Sequence, residues 1–315
     1  MNQKTSSLSR ISKKEIAGSI LLIAICVLPF FTFAKDRKIY VDDNASGNED
    51  GSSKHPYKTI GKALDKADNN TTVFVRSGKY EENIELSKGV KLSGSDKNDV
   101  VIEGDDNEEI VSMKDKTEIS DVTIRGGKEG IEVQEGAKAT ITNCIIKDNK
   151  KSGISIEKAG VNGENQVYIG KNKITKNGKN GIFSEKRKLS IEDNDILNNN
   201  GDGIGIMPGS KAWIKGNRIK DNDGSGMRIN IDGSDIWTKS NTYRENKREG
   251  IEIDSFGGAG RIDINKSKFW GNSRWAIAKI QKSGSTANWK GVTIQGNNEF
   301  VETKIGNVSP IIRVN

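Results

Sequence analysis

Histidine is almost absent from this sequence. His55 is the one histidine among 315 residues. A zinc site rich in histidine is therefore excluded, and a Ser-His-Asp triad or a Cys-His dyad could use only His55. The sequence also has only four prolines and no low-complexity tract, which argues against a linker-like chain. These scarcities remove most histidine-based hydrolases from consideration and indicate a folded chain.

Charge of one sign is not in large excess either. Lysine and arginine number 50 and aspartate and glutamate number 43, which gives a formal net charge of +7. Part of this excess lies in residues 1–34, where four basic residues stand against one acidic residue. The small excess that is left for the remaining chain does not predict a nucleic-acid partner.

The first 34 residues have the pattern of a targeting segment. Four basic residues between Lys4 and Lys14 precede an uncharged, apolar stretch over residues 16–34. This order predicts a secretory signal peptide that is cleaved after Ala34. The stretch is also long enough to remain as a membrane anchor, which would be the chain's one association with a membrane. Both alternatives place the rest of the chain outside the cytoplasm, where Cys144 would have no cysteine partner for an internal disulfide.

A phrase of nine residues returns along the chain. It has the form Ile-x-x-Asn-x-Ile-x-x-Asn at residues 169–177, 191–199 and 214–222. Its second asparagines, from Asn149 to Asn272, follow one another at intervals of 28, 22, 23, 24 and 26 residues. Alternating isoleucines predict short strands that bury every second side chain, and the asparagines and glycines predict turns between them. This pattern suits a solenoid whose coils stack on one another.

The repeat therefore predicts an all-β fold, a right-handed parallel β-helix of about nine or ten coils over residues 90–315. Asparagines at the same place in successive coils would lie about 4.8 Å apart, where their amides can form a hydrogen-bonded ladder. The alternative is that they only form turns. Residues 35–89 differ from the repeat, because residues 57–67 predict a short amphipathic helix that caps the first coil. His55 is expected to pack or form hydrogen bonds within this cap.

The start of the predicted fold also carries a family resemblance. It contains Tyr40-Val-Asp-Asp, Asp50-Gly-Ser-Ser, Pro56-Tyr-Lys-Thr-Ile and Val73-Phe-Val-Arg-Ser-Gly-Lys-Tyr80. These segments and the repeats that follow resemble the secreted pectate-lyase-like β-helix superfamily, and the resemblance covers about residues 38–300. It implies the fold. The superfamily includes pectate and alginate lyases, glycoside hydrolases, epimerases and non-catalytic surface proteins, so the resemblance does not choose an activity.

Two catalytic motifs of the superfamily are missing. The Gly-His-Gly motif of polygalacturonase-like members and the Asp-Pro-His motif of alginate epimerases are both absent from the sequence. A calcium-dependent polysaccharide lyase with an arginine or lysine base is the catalytic subgroup that the sequence contradicts least.

The strand before the first asparagine of each repeat presents a row of outward side chains. If Ala212, Ile214 and Ile236 point into the core, strand alternation places Trp213 and Trp237 in solvent on successive coils. Two adjacent exposed indoles require a cover, which would be a sugar ring, a protein partner or a loop of this chain. The row predicted for this strand comprises Thr123, Tyr168, Ser190, Trp213, Trp237, Asp263 and Thr293.

Basic residues flank this row. Sugar rings stack on indoles, and the carboxylates of an acidic polysaccharide pair with lysine and arginine. The open alternative is that variable turns cover both tryptophans and that the lysines are ordinary surface residues. The candidate residues for binding an acidic polysaccharide are Tyr168, Trp213, Trp237, Lys211, Lys215, Lys239 and Arg261.

Catalysis at this row would need a base and charge neutralisation at a uronate. Asp235 and Asp263 are candidate Ca²⁺ ligands, and Arg261 is the candidate base. Asp235 and Arg261 stand at matching positions on neighbouring coils, so a plain salt bridge is the simpler interpretation. The functional alternatives are a glycan-binding β-helix that requires no cofactor, a calcium-dependent lyase, and a structural or adhesion solenoid. Glu252 and Asp254, on the glycine-led strand, are expected to be solvated charges.

Overall fold

Each coil of the chain contributes three short parallel strands. The computed structural model describes residues 37–160, 166–282, 284 and 286–314, and the predicted targeting segment at residues 1–34 lies outside this part of the chain. Strands one repeat apart pair in parallel and build three long sheets. The predicted all-β parallel solenoid is confirmed.

The three sheets are named here in the order in which one coil visits them. The first sheet contains β1 (Arg37–Val41), β2 (Thr71–Val75), β5 (Lys91–Gly94), β8 (Thr117–Ser120), β11 (Ala139–Thr142), β14 (Gln166–Gly170), β17 (Lys188–Glu192), β20 (Lys211–Lys215), β23 (Asp235–Lys239), β26 (Arg261–Asn265) and β29 (Val292–Ile294). The second sheet contains β3 (Gly78–Glu81), β6 (Val100–Glu103), β9 (Thr123–Arg125), β12 (Ile145–Lys147), β15 (Lys173–Thr175), β18 (Asp195–Leu197), β21 (Arg218–Lys220), β24 (Thr242–Arg244), β27 (Lys268–Trp270) and β30 (Glu299–Val301). The third sheet contains β4 (Ile84–Leu86), β7 (Val111–Met113), β10 (Ile131–Val133), β13 (Ile154–Ile156), β16 (Ile182–Ser184), β19 (Ile204–Ile206), β22 (Met227–Asn230), β25 (Ile251–Ser255), β28 (Trp275–Lys282) and β31 (Gly306–Val314).

The strand counts differ slightly from the predicted number of coils. The first sheet has 11 strands and the other two have 10 each in the described part of the chain. The difference arises at the N-terminal end, where β1 joins the first sheet ahead of the first coil that has all three strands.

Aliphatic side chains from the three sheets fill the interior. In the first sheet, Ile141, Ile169, Ile191 and Ile214 lie in register from coil to coil, and each is fully buried. The other two sheets contribute isoleucines in the same way. A single coil buries little apolar surface by itself, so the core depends on stacking.

Asparagine side chains form two ladders along the turns. Between the first and second sheets, the Asn172 amide donates to the Asn194 amide oxygen at 3.0 Å. Between the second and third sheets, Asn177 donates to Asn199 at 2.9 Å, and Asn199 donates to Asn222 at 3.0 Å. These side chains are buried. The ladder interpretation is confirmed over the alternative of isolated turn residues.

The N-terminal helix is shorter than predicted. Helix α1 (Ile60–Leu64) begins after its capping residue Thr59 and buries Ile60 and Ala63. It contacts β1, β2 and β4, and its role as a cap remains a prediction. The side chain of His55 is exposed, so it does not pack within the cap, although its backbone carbonyl accepts two hydrogen bonds from the same loop. A short 3₁₀ helix, η1 (Trp289–Gly291), precedes β29. No helix in the described ranges is long and apolar enough to cross a membrane.

Candidate functional site

A pair of tryptophans stands on the outer face of the first sheet. Trp213 on β20 and Trp237 on β23 are register partners, and their rings stack with centroids 5.1 Å apart and an interplanar angle of 28°. Ala212 and Ile236 are buried on the opposite face of the same strands. Trp213 is 50% exposed, so in the described part of the chain no turn covers its ring. The alternation that the sequence predicts for these strands is therefore present.

Arg261 completes one end of this aromatic stack. Its guanidinium carbon lies 4.8 Å from the centroid of the Trp237 ring. The same guanidinium donates from Nε to Oδ1 of Asp235 at 2.8 Å and from Nη2 to Oδ2 at 3.2 Å. This is the plain salt bridge that the matching positions suggested. The carboxylate holds the guanidinium beside the indole, where the cation and the ring attract each other.

Tyr168 belongs to the same row but does not touch the tryptophans. It pairs with Ser190, and Ser190 pairs with Trp213, so one serine position separates the phenol from the indole stack. The Tyr168 ring folds back over Gly170, where a Cβ would lie 2.6 Å from the phenolic oxygen. Tyr168 therefore lies along the surface two coils from the pair, as predicted.

The predicted lysines flank the tryptophans on both sides. Lys211 and Lys215 lie at the two ends of β20 with Trp213 between them, and both are exposed. Lys239 lies at the end of β23, directly opposite Lys215. The strip of the first sheet, defined as Tyr168, Trp213, Trp237, Lys211, Lys215, Lys239 and Arg261, thus has an aromatic centre and basic flanks.

The predicted position of one residue in the row, Thr123, is wrong. Thr123 lies on β9 of the second sheet, and Glu118 and Thr140 hold the corresponding positions of the first sheet. The cause is local, because Val122 occupies the place that a turn asparagine takes in later coils.

The candidate calcium ligands do not form a cation site. Both oxygens of Asp235 accept hydrogen bonds from Arg261, and Asp263 accepts one from the amide of Gln295 at 2.9 Å. In the described ranges, no group of three or more His, Cys, Asp or Glu residues is placed to hold a metal ion. Both candidate carboxylates are thus already hydrogen-bonded within the chain, and Ca²⁺, which takes six to eight oxygen ligands, stays a prediction at this row.

The outer face of the third sheet differs from the sequence prediction. Glu252 and Asp254 are 1% and 3% exposed, so they are not solvated charges. Arg228 donates to Asp254 at 2.9 Å, and Arg248 lies 3.1 Å from Glu252. The correction has a physical reason: arginines from neighbouring parts of the coil fold over the carboxylates and neutralise them as they are buried.

Beside these carboxylates lies a cleft of about 340 Å³ that sequence analysis missed. Phe183, Gly205 and Arg228 are successive register partners, and the amide of Asn180 lies against Gly205, where a Cβ would be 2.6 Å from its nitrogen. Burial raises the pKa of Asp202, which lines this cleft. In the sequence, the outward positions of the third sheet show only a mixture of residue types. The one feature that could have predicted a cleft is Gly205, which stands between Phe183 and Arg228. The cleft is lined by Asn180, Phe183, Asp202, Gly205, Ile206, Met207, Arg228, Asn230, Asp254 and Phe256.

The architecture matches a known family. Residues 83–165 and 151–300 match the model of the right-handed beta helix region, and together they are more than half of the chain. The chain belongs to this right-handed β-helix family. The resemblance to pectate-lyase-like β-helices is thereby confirmed. Residues 44–98 also match a family described as a protein of unknown function, DUF1565.

Individual relatives are distant. YwoF, an uncharacterized protein of Bacillus subtilis strain 168, is 25% identical over 213 residues, which are 61% of this chain and 43% of YwoF. The chain therefore spans less than half the length of that relative. XylC in complex with xylose has a TM-score of 0.57 and 14% identity over 80% of this chain and 70% of that chain. The Agl-KA catalytic domain has a TM-score of 0.51 and 12% identity over 89% and 69% of the two chains. At these identities the likeness to the solved structures concerns the fold alone.

Proposed function

We propose that this β-helix protein binds an acidic polysaccharide through the strip of the first sheet. The observation that carries the proposal is the stack of Trp213, which is exposed, on Trp237, which is half-buried, with a guanidinium held against the second ring. Burying a fully exposed apolar side chain of this size gains roughly 1.5–3 kcal/mol, so a ligand that covers the exposed half of Trp213 gains a part of this free energy. Sugar rings present apolar faces that suit such a surface.

The charges beside the pair favour an anionic polymer. Lys211, Lys215 and Lys239 surround the indoles on two neighbouring strands. Uronate carboxylates spaced along a chain can meet these cations while the rings lie on the tryptophans. The xylose named for XylC belongs to that protein, but a sugar complex in a related fold also supports a saccharide as the ligand class here.

The proposal includes a cellular location for the β-helix. The segment of residues 1–34 has the order of a signal peptide or of an anchor. We place the β-helix outside the cytoplasm, either secreted or attached to the cell surface, where polysaccharides are available.

The test removes the indoles. We expect the double variant W213A/W237A to bind immobilised polygalacturonate at least about tenfold more weakly than the unchanged protein, which corresponds to roughly 1.4 kcal/mol. Affinity electrophoresis with polygalacturonate, alginate and neutral dextran in the gel measures the retention.

Trp270→Ala is the matched control. Trp270 is also an exposed tryptophan, at 41%, but it lies on β27 of the second sheet and donates to Glu302. Unchanged retention of the double variant, or an equal loss in Trp270→Ala, contradicts the proposal. Retention of unchanged strength on dextran would indicate that the ligand is not acidic. Binding to no polysaccharide at all favours a structural or adhesion solenoid.

Chemistry on the bound sugar is a second candidate function, favoured by the cleft of the third sheet. Asp202 keeps its proton more readily than an exposed aspartate because burial raises its pKa, and it lies in one cleft with Phe183 and Arg228. A protonated carboxyl is what general-acid catalysis of glycosidic cleavage requires. If reducing ends appear when the protein meets an acidic polysaccharide, Asp202→Asn should slow their release by about 100-fold or more. A variant as active as the unchanged protein excludes this role.

A further inference from the structure

The second sheet carries a cleft that none of the functions above uses. Its strands β9, β12 and β15 place Thr123, Ile145 and Lys173 in one outward row and Arg125, Lys147 and Thr175 in the next. Each row runs across three consecutive coils and the two rows lie two positions apart on the same strands, so six side chains from three strands meet on one patch. This patch lies on a different sheet from the tryptophan pair.

The cleft has a volume of about 490 Å³, which falls in the range of small-ligand sites. Four of its lining side chains are cations and none is a carboxylate. Two threonines and two asparagines supply neutral hydrogen-bonding groups, and three aliphatic side chains supply an apolar floor. The lining residues are Asn98, Val101, Thr123, Arg125, Ile145, Lys147, Lys173, Thr175, Lys176, Leu197 and Asn198.

Two cations of the cleft already have acidic partners. Arg125 donates from Nε to Glu103 at 2.9 Å, and Lys147 lies 3.4 Å from Asp148. These pairs hold the two side chains in place at the edge of the cleft. Both remain partly exposed, so they can still attract an anion.

Lys173 and Lys176 are different. Both are exposed, and neither lies within ion-pair distance of a carboxylate in the part of the chain that the structure describes. The nearest acidic register partner of Lys173 is Asp195, but both of its oxygens accept from Arg218 at 2.7 Å.

Elsewhere on the same sheet, other cations have carboxylate partners, two of them across neighbouring strands. Arg218 pairs with Asp195, and Lys268 pairs with Glu299 at 2.8 Å. Like charges that converge without a counter-ion are unfavourable, so a patch that concentrates them beside a concave surface is suited to an anionic ligand.

We propose that this cleft of the second sheet binds a saccharide that carries an oxyanion, either a sulfate ester or a carboxylate. The sugar ring lies on Val101, Ile145 and Leu197, and the oxyanion accepts from Lys173 and Lys176. The Thr123 hydroxyl donates to the carbonyl of Lys97, so its oxygen can only accept from a ring hydroxyl group, and Thr175 lines the same cleft. The site does not depend on the tryptophan pair, and the two can be tested separately.

The experiment measures binding of three hexasaccharides by calorimetry at physiological salt: a heparin-derived hexasaccharide, hexagalacturonate and uncharged maltohexaose. We expect K173Q/K176Q to bind one of the two charged probes at least tenfold more weakly than the unchanged protein. The probe that responds identifies the oxyanion as sulfate or carboxylate. K173R/K176R keeps the charge and should bind within threefold of the unchanged protein.

The matched control is K171Q/K179Q, which removes the same charge from two exposed lysines on the same coil that do not line the cleft. It should change the affinity less than twofold. The titrations are repeated in the W213A/W237A background, where the tryptophan pair contributes no binding, so a loss caused there by K173Q/K176Q reports this cleft alone and a failure of the tryptophan proposal and a failure of this one are distinguishable.

Several results overturn the proposal. Equal losses in K173Q/K176Q and K171Q/K179Q mean diffuse attraction to a basic surface. Maltohexaose that binds as tightly as the charged probes removes the role of the oxyanion. A single-stranded hexanucleotide that binds more tightly than both saccharides, with the same response to K173Q/K176Q, identifies a nucleic-acid site instead. Binding of none of the probes by the unchanged protein refutes the site.

Discussion

Glu132 shows how a single residue responds to its place in the solenoid. It points outward from β10, and its register partners on both sides are serines. Partial burial, and then the nearby carboxylates of Glu109, Glu157 and Glu129, raise its pKa to about 7. The folded state therefore binds a proton that the unfolded chain releases near the ordinary value of 4.5. Because the unfolded state holds fewer protons in this interval, the unfolding free energy falls as pH rises from about 4.5 to about 7.

Glu132→Gln tests this directly. Glutamine keeps the shape and removes the charge, so we expect the variant to gain stability relative to the unchanged protein at pH 8 and to gain little at pH 5. Thermal unfolding at the two pH values measures the difference in Tm. An equal difference in Tm at both pH values contradicts the raised pKa of Glu132, since it means that the ionisation of this side chain does not destabilise the folded state.

Two residues of the same type can have different contacts because they lie at different positions in the solenoid. Trp213 and Trp270 are both exposed indoles, but one stacks on a second indole and the other donates its N–H to a carboxylate. Alternation along a strand predicts that such a side chain is outside. It does not predict which neighbour the ring meets, because the neighbour comes from the next coil.

Among the elements, the asparagine ladders connect one coil to the next. The amide oxygen of Asn199 accepts from the backbone N–H and the amide of Asn177, and its own amide donates to Asn222 and to the carbonyl of Ile174. Every one of these groups is buried. A buried donor or acceptor that loses its partner costs about 1–3 kcal/mol.

Asn199→Ala should therefore lower the unfolding free energy by about 3 kcal/mol. Asn200→Ala is the control, because Asn200 is the next residue in the chain and is exposed, and it should change the unfolding free energy by no more than about 0.5 kcal/mol. Denaturant unfolding measures both. Similar values for the two variants would mean that the ladder contributes little beyond the turn itself.

For the molecule as a whole, stability arises from contacts between neighbouring coils. Asn199 and Asn222 occupy equivalent places 23 residues apart, so residues 200–222 make up one full coil. Without them, β16, β17 and β18 would meet β22, β23 and β24 in the same register as before. In a solenoid each coil contacts only its neighbours, so the loss of one coil removes one unit of the stack.

Deletion of residues 200–222 should leave a folded β protein with a lower Tm. Deletion of residues 200–210 removes β19 and the turns on both sides of it, so the later strands cannot reach their sheets and the chain should not fold. Far-ultraviolet circular dichroism and thermal unfolding distinguish the two outcomes. If both deletions abolish the cooperative transition, the coils are not independent units.

Several features of the third and second sheets could not be obtained from the sequence. The carboxylates of Glu252 and Asp254 alternate outward along their strand, which predicts solvation, yet they are buried beside Arg228 of the preceding coil and Arg248 of the turn before their own strand. The sequence pattern places Thr123 on the wrong sheet, because its coil lacks the asparagine that marks the turn. The cleft around Lys173 joins side chains of separate coils, and no short segment of the chain contains its pattern.

The sequence by itself determined the strand period, the turns and the outward positions of Trp213 and Trp237, because these depend on residues within one repeat. The intervals between equivalent asparagines also determined that the coils stack. Only the tertiary structure decided which outward side chains meet, which charges are paired and which lysines are left without a carboxylate. Those properties depend on register between coils about 25 residues apart and on side chains that fold across a coil boundary, and neither is encoded in a local pattern.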